Sequence, residues 1–582
     1  MVMINANEAF DNLNGKFLAK LKSLKIQRKT LEAKYEATYE AVSHTAIIEA
    51  KFDLSVFERL HSPTFVAIEM PLGDVKKYPI YEVVGINPVH YQMIGIGSNV
   101  PLQIREEFLS RVGESWGRSD ETWIDITAVQ TDYALVEENG KMKFERQRLV
   151  PLVGSRVHLL SIKTVKELLC VEGGIEIGKM FGFDIPLVVD PDSLIRYHVG
   201  VFGFTGVGKS NLTALLLRKL IKWDPNLKIV IFDVSGEYTV HLLDQLDKAH
   251  FYTTELFEDM ESLVASQVVP ESLEERVEDL KLREKFEKMK KEGRYGVLDL
   301  REKMTRLTLN DLYSFLNKIV EEGRAESVYA KRLLEEISSK LSSYPDDTPV
   351  LNLKGEDRDF LITKFSDVVG KVKYSLRTLL ESLLSYLTSP PEEAELEGRV
   401  FPEDLAYKFL YDNNINILIL YMPDPDQARI VASRFLDTLL YLKKKKGIRV
   451  KTLTVIDEAQ EFIPRDARGT ALDSNKSVEA LLRQGRKYRS FAWISTQRVA
   501  HLNTNALQQL HSYFVSTLPR MYDRMVIADA FSLDYGLVEK VTELSTGEWL
   551  FVSYKATKQK NVPAFIRTEN NEDYIVDYLK RS

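Results

Sequence analysis

Apolar and polar positions divide the chain into contrasting kinds of text. From about Ala6 to Val42, the residues Phe17, Leu21, Leu24, Leu31, Tyr35 and Val42 recur at a/d-like spacing, with Arg28 and Thr38 breaking the stripe. That pattern predicts one long helix lying on its own domain rather than an intermolecular coiled coil. From about Phe65 to Gly178 the text changes to short runs such as "TFVAIEM", "YPIYEVVGI" and "TWIDITAVQ", separated by turn residues such as "ENGK". Strands at this spacing predict a small barrel or sandwich. Beyond Ile185, strands alternate with helices, the pattern of an α/β domain. Charge-rich helical text interrupts it from about Thr239 to Arg399. Within it, "ESLEERVEDLKLREKFEKMKKEG" carries opposite charges at i,i+4 and reads as a solvated helical face. The α/β text resumes at "INILILYMP". The expected organisation is an N-terminal helical segment over 1–60, a β-barrel domain over 61–178, an α/β core over 179–240 and 400–560, a helical insertion over 241–399, and a C-terminal tail over 561–582.

Composition narrows the classes. A chain of 582 residues is too long for one hydrophobic core, and 44% apolar with 28% charged residues is ordinary for a globular protein. No apolar run reaches the roughly 18 residues of a membrane span, and "MVMINANEAFDNLNGKF" lacks the apolar centre of a secretory signal, so no membrane role is expected. The single cysteine, Cys170, excludes an internal disulfide framework and suits a reducing, cytoplasmic setting. A net charge of −7 gives no global nucleic-acid footprint. Contact with DNA would therefore be local, from loops or from a pore built by several subunits.

The strongest chemical signal is "HVGVFGFTGVGKSNLTALLLRKLI". Gly203, Gly206, Gly208, Lys209 and Ser210 fit G-x-x-x-x-G-K-S/T, with an apolar β-run before and an amphipathic helix after. The glycines let backbone N–H groups curl around a β-phosphate, and the helix N-terminus adds its positive dipole. Lys209 reaches the β/γ-phosphates and Ser210 is suited to ligate Mg²⁺. The expected nucleotide-binding set is Gly203, Thr205, Gly206, Val207, Gly208, Lys209, Ser210 and Asn211, with ATP and Mg²⁺ as cofactors.

Downstream, "KTLTVIDEAQEF" sets an apolar strand directly before Asp457 and Glu458. Asp457 is assigned to the metal shell and Glu458 to orienting and deprotonating the attacking water. A further strand, "FAWIST", ends at Gln497, whose amide suits the γ-phosphate or its water. The strand of "KIVIFDVSGEY" ends at Asp233, with Glu237 nearby; an outer metal shell and a turn cap are equally open for Asp233.

Four segments together, "RYHVGVFGFTGVGKSN", "IFDVSGEY", "VIDEAQEFIP" and "RQGRKYRSFAWISTQR", resemble the HerA/FtsK-type branch of P-loop ATPases, and HerA in particular. The similarity extends to "GGIEIGKM" and to the late "LSTGEWLFVSYK". It implies a RecA-like core in which the strands bearing Lys209 and Asp457 flank the one bearing Gln497, with a helical insertion and a preceding β-barrel of the HAS type. It also implies a homohexameric, ATP-driven translocase or helicase on duplex DNA, working in DNA end processing with a NurA-like nuclease. Here Gln460 follows "DEA" where the family often has histidine, and Val499 stands where it often has proline.

The basic stretch "RQGRKYRS" lies between the carboxylates and the Gln497 strand. On a helix over about Ser477 to Tyr488, Glu479, Arg483 and Arg486 share a face, and a Glu479–Arg483 pair contributes only a few tenths of a kcal/mol. In ring ATPases an arginine offered across the interface stabilises the transferring phosphoryl group. Arg486 and Arg483 are the candidates, with Arg196 a third. The loop "IPRDARGTALDSNKS" is the pore-loop candidate, with Arg465, Arg468 and Lys476 available for phosphates. The run Lys443 to Lys446 reads as the solvated end of a helix, and "NEDYIVDYLKRS" as a segment that braces a neighbour or frays. Two other functions stay open: a protein-remodelling ring, and a nucleotide-gated scaffold for a nuclease. A small GTPase is disfavoured by the lack of N/T-K-x-D in the expected place, and an ABC-type ATPase by the lack of an LSGGQ-like signature.

Overall fold

The computed structural model describes residues 4–32, 38–72, 75–94, 101–116, 121–300, 307–321, 326–346, 348–372, 374–388 and 399–581. It divides into two compact units: Met1–Tyr295 together with Leu405–Ser582, and Gly296–Asp404.

The expected N-terminal helix is instead a long hairpin, in which β1 (Ala19–Glu32) pairs antiparallel with β2 (Thr38–Lys51). A bulge explains the misreading. The register shifts between Leu21 and Ser23, so one extra residue is inserted and Leu21 and Leu24 fall three apart on a strand, imitating a helical period. Tyr35, counted in that stripe, lies outside the described residues. Four more strands belong to the layer, β3 (Phe65–Ile68), β4 (Val75–His90), β5 (Thr122–Glu138) and β6 (Arg156–Leu159), and the short strands Ile4–Asn5, Met70–Leu72 and Lys141–Arg146 extend it. Their antiparallel pairings run β5–β2–β1–β6–β3–β4 and return from β4 to β5. Alternate residues point inward, as a two-residue period requires: Ala46, Ile48 and Ala50 on β2, Ile124, Ile126 and Ala128 on β5, all buried in one cluster.

The remainder of the first unit is a large mixed sheet. Its strands are β7 (Ile175–Met180), β8 (Ile185–Val189), β9 (Val199–Phe202), β10 (Lys228–Asp233), β11 (Ala249–Thr253), β12 (Ile417–Tyr421), β13 (Thr452–Ile456), β14 (Ser490–Thr496), β15 (Ser512–Val515), β16 (Glu548–Ser553) and β17 (Ala564–Arg567). They lie in the order β8-β7-β17-β16-β15-β9-β14-β13-β10-β12-β11. From β15 to β11 every pairing is parallel, and these strands are buried along their whole lengths, as strands covered on both faces must be. From β15 to β8 the pairings are antiparallel.

β11 lies within the region expected to be a helical insertion, yet it pairs with β12 in the main sheet. The helix Leu282–Lys291, read as a solvated face, also has an inner side that buries Leu282, Phe286 and Met289, and the Phe286 ring meets Phe251 of β11 at 4.9 Å. Charge at i,i+4 on its outer face conceals that apolar stripe. The second unit begins only at Gly296. Its helices, Leu309–Glu321, Ser327–Lys340, Gly355–Val369 and Tyr374–Thr388, enclose a core that includes Leu312, Leu316, Leu333, Ile337, Leu361 and Phe365. Among the described residues no helix is long and apolar enough to cross a membrane.

One lysine of the "KKKK" run departs from its expected role. Lys443 is 1% exposed. Its ammonium donates to Val450 O at 2.7 Å, Thr452 Oγ1 at 2.8 Å and Arg489 O at 3.1 Å, stapling the helix Pro425–Lys446 to the start of β13 and to the basic turn. Lys443→Met is expected to cost about 1–3 kcal/mol by leaving buried acceptors unpaired, whereas Lys446→Met, on the exposed end, should be neutral. Chemical unfolding midpoints of the two variants check this.

Candidate active site

The P-loop hangs between β9 and α1 (Lys209–Trp223). Gly206 and Gly208 take φ of +83° and +93°, a left-handed conformation that disfavours any side chain. Through them the chain turns abruptly from strand to helix, and the unpaired N–H groups of the first helical turn face the loop. Lys209 is 9% exposed, and its Nζ donates to Phe204 O at 3.3 Å across the loop. Behind it, Leu212, Leu215, Leu216 and Leu220 are buried, and Trp493 Nε1 of β14 donates to Thr213 Oγ1 at 3.2 Å.

β9 pairs with β14, and β14 with β13. The carboxyl ends of neighbouring parallel strands thus bring together the P-loop, Gln497 and the Asp457–Glu458 pair, at the edge where open α/β sheets bind ligands. Asp457 is 3% exposed, and its backbone N–H donates to Phe232 O at 3.2 Å. Glu458 sits at φ +45°, a strained position for a residue with a side chain. Glu458 Oε2 accepts from Gln460 Nε2 at 2.6 Å and Oε1 from Gln497 Nε2 at 3.4 Å. Gln497 in turn accepts from the Thr205 hydroxyl of the P-loop, and Gln460 accepts from Thr496 Oγ1 at 2.5 Å. Gln460 thus anchors the Glu458 carboxylate to the tip of β14. Its place two residues after Glu458 was the only sequence signal for that role.

Asp233 proves to be a turn cap. Its two oxygens accept from Gly236 N at 2.8 Å and Tyr238 N at 3.0 Å, and it is fully buried. Burial pushes its carboxyl up to about 6. Burial, followed by the charges of Glu237, Asp233 and Glu458, holds the Asp457 carboxyl well above the usual carboxylate range, with Lys209 opposing. Among the described residues no group of three or more His, Cys, Asp or Glu is placed to hold a metal unaided. One hydroxyl at Ser210, one carboxylate at Asp457 and a local excess of negative charge fit a Mg²⁺ ion that arrives with the nucleotide and keeps waters and phosphate oxygens as its remaining ligands.

This crowding has a pH signature. Because the folded-state pKa of Asp457 is raised, its contribution to stability is fully present below its unfolded value of about 4 and is lost as pH rises through the folded value. The nucleotide-free wild type is therefore expected to lose stability relative to Asp457→Asn as pH rises from about 4 toward neutrality. Mg²⁺ with nucleotide should remove the difference. Unfolding midpoints across that pH range check it.

The basic stretch lies at the far end of β14. The helix α2 (Thr470–Gln484) runs into a tight turn, Gly485–Tyr488, before β14 begins at Ser490. Gly485 is required there, because an added Cβ would stand 2.4 Å from Ser490 O. Arg483 pairs with Glu479 at 3.3 Å on an exposed face, and the Arg486 guanidinium lies over the Tyr197 ring at 5.2 Å. Arg196 lies over the same ring at 6.0 Å. The seven residues of β14 separate this turn from Gln497 by about 20 Å, so neither Arg483 nor Arg486 joins this chain's own site. The expected pore loop is shorter than its text, since helix α2 already begins at Thr470 and holds Lys476, which pairs with Asp473 at 3.6 Å. Arg465 Nη1 donates to Tyr522 Oη at 3.0 Å, and Arg468 is exposed.

The C-terminal segment closes over the P-loop. Thr546 Oγ1 donates to Gly206 O at 3.4 Å, and Gly547 N to Val207 O at 3.2 Å. The last helix, α3 (Asn571–Arg581), docks on this chain's own α1. Asn571 is fully buried; its Oδ1 accepts from Arg218 Nε at 2.7 Å, and its Nδ2 donates to His241 O at 3.0 Å.

The family description "Helicase HerA, central domain" matches residues 175–439. The DNA double-strand break repair helicase HerA of Sulfolobus acidocaldarius is 23% identical over 417 residues, covering 70% of this chain and 72% of that protein. Its namesake from Pyrococcus furiosus is 21% identical over 431 residues, covering 68% and 70%. The solved VirB4 of Thermoanaerobacter pseudethanolicus shares 14% identity at a TM-score of 0.40, over 69% of this chain and 97% of that one. Motif order, strand order and relatives agree: the chain is an ATPase whose residues 175–439 match the central domain of helicase HerA and which is similar over most of its length to the HerA helicases.

Proposed function

We propose that this ATPase is a homohexameric ring motor that translocates on duplex DNA and serves DNA end processing beside a nuclease of the NurA type. Lys209 and the P-loop amides hold the triphosphate, while Ser210 and Asp457 hold Mg²⁺, which when bound neutralises charge on the phosphates. Glu458, fixed by Gln460 and Gln497, takes the proton of the attacking water. Gln497 joins Glu458 to Thr205 and thereby links hydrolysis to the strand that leads back to the basic turn. The closed circuit of strands before the core is read as the HAS-type barrel, and Arg465 and Arg468 as contacts to the DNA backbone.

One observation carries the ring reading: Arg483, at the end of α2, and Arg486, in the turn after it, stand at the end of β14 opposite to this chain's own P-loop, on the side where a neighbour's phosphates would be met. The relatives named as double-strand break repair helicases support the DNA substrate. Light scattering is expected to report a hexamer. Arg486→Ala should lower turnover by about 10³-fold or more, and Arg486→Ala subunits mixed with Lys209→Ala subunits should recover part of it, because some interfaces then pair an intact P-loop with an intact arginine. If Arg486→Ala and Arg483→Ala each leave turnover unchanged, the cluster is a solvated face.

A further inference from the structure

The γ-phosphate end of the site is marked by Lys209, Glu458 and Gln497. The opposite end of the cradle is the first turn of α1, where Asn211 follows Ser210. A nucleotide threaded through the P-loop must leave it there, with its α-phosphate and ribose beyond the β-phosphate. Asn211 is ringed by the C-terminal segment. Its Nδ2 donates to Asn570 Oδ1 at 2.6 Å and to Glu572 Oε1 at 3.1 Å, and its Oδ1 accepts from Asn571 N at 2.9 Å. Glu572 N donates to Asn570 Oδ1 at 3.1 Å, and Glu572 Oε2 accepts from the Ser272 hydroxyl. A half-buried carboxylate and an exposed amide are thus locked beside the exit of the phosphate cradle.

Resting on the ATP-site reading, we propose that Glu572, positioned by Asn570 and Asn211, is the ribose-recognition group of this site and accepts hydrogen bonds from the sugar hydroxyls. Carboxylates serve that purpose in other nucleotide folds because they are acceptor-only and pair with both hydroxyls of a cis-diol. The docked α3 then has a direct function: it builds the nucleoside end of the pocket from the far end of the chain.

Binding of three probes to the full chain with Mg²⁺ tests this: ADP, 2′,3′-dideoxy-ADP and inorganic pyrophosphate. The wild type is expected to bind ADP about tenfold more tightly than dideoxy-ADP, the size of a charged hydrogen bond. Glu572→Ala should bring ADP to the dideoxy level while leaving dideoxy-ADP and pyrophosphate unchanged. Glu572→Gln, which keeps the shape of the side chain, should lose most of the same preference and guards against a folding defect. Equal affinity of the wild type for ADP and dideoxy-ADP overturns the assignment, as does an equal loss of all three probes in Glu572→Ala, which would make the residue a clamp on α1. A wild type that binds none of the probes removes the phosphate site itself.

Discussion

Lys209→Ala is expected to lower ATP turnover by about 10²–10³-fold or more and to weaken nucleotide binding, while fold and assembly persist. The ammonium is almost buried and spans the loop to Phe204 O at 3.3 Å, and in the proposed site it meets the β- and γ-phosphate oxygens. In the free protein it also offsets the charge of Asp457. Removing it strips the cradle of a fixed cation beside the buried carboxyl and leaves the N–H dipoles to face the triphosphate. Steady-state turnover with a coupled phosphate assay, alongside mass measurement and a melting curve, separates lost chemistry from lost structure. Turnover near that of the wild type would remove the site assignment.

Glu458→Gln should give a different phenotype of comparable size. The variant keeps the cradle and the metal position, so nucleotide binding should match the wild type, while turnover falls by about 10²–10⁴-fold for want of a proton acceptor. The amide preserves the length of the side chain but brings an NH₂ toward Gln460 Nε2, now 2.6 Å from Glu458 Oε2, and toward Gln497 Nε2 at 3.4 Å. One of these contacts must flip or break, and the strained backbone at φ +45° leaves little room to adjust. Unaltered turnover in this variant would assign the proton elsewhere, with Glu237, whose charge acts on Asp457, the next candidate.

The residues that converge at the site were legible because each part is local. Gly203 to Ser210 needs only a loop between a strand and a helix, and Asp457, Glu458 and Gln497 each end an apolar run that must be a buried strand. The inter-strand neighbours followed from the resemblance, and the pairings β9–β14 and β14–β13 agree with it. What escaped depends on long-range contact. Asn211 and Asn571 lie 360 residues apart in sequence, and no local pattern announces that a C-terminal helix will dock on the P-loop helix. Lys443 looked solvated because its neighbours are, although a single rotation about the helix axis turns it onto β13. The bulge after Leu21 defeated the periodicity argument outright, since it changes the spacing of apolar residues without changing the secondary structure. Asp233 remained open on sequence and was decided by two backbone N–H groups.

The central claim, an ATP-driven motor on duplex DNA, is tested most directly by the ATPase rate of the full chain with and without blunt linear duplex DNA, at several salt concentrations. The rate is expected to rise with added duplex, a rise that fades as salt increases because the contacts are to phosphates and that is abolished in Lys209→Ala. A rate indifferent to duplex DNA at every salt concentration, or raised instead by an unfolded polypeptide, would contradict it.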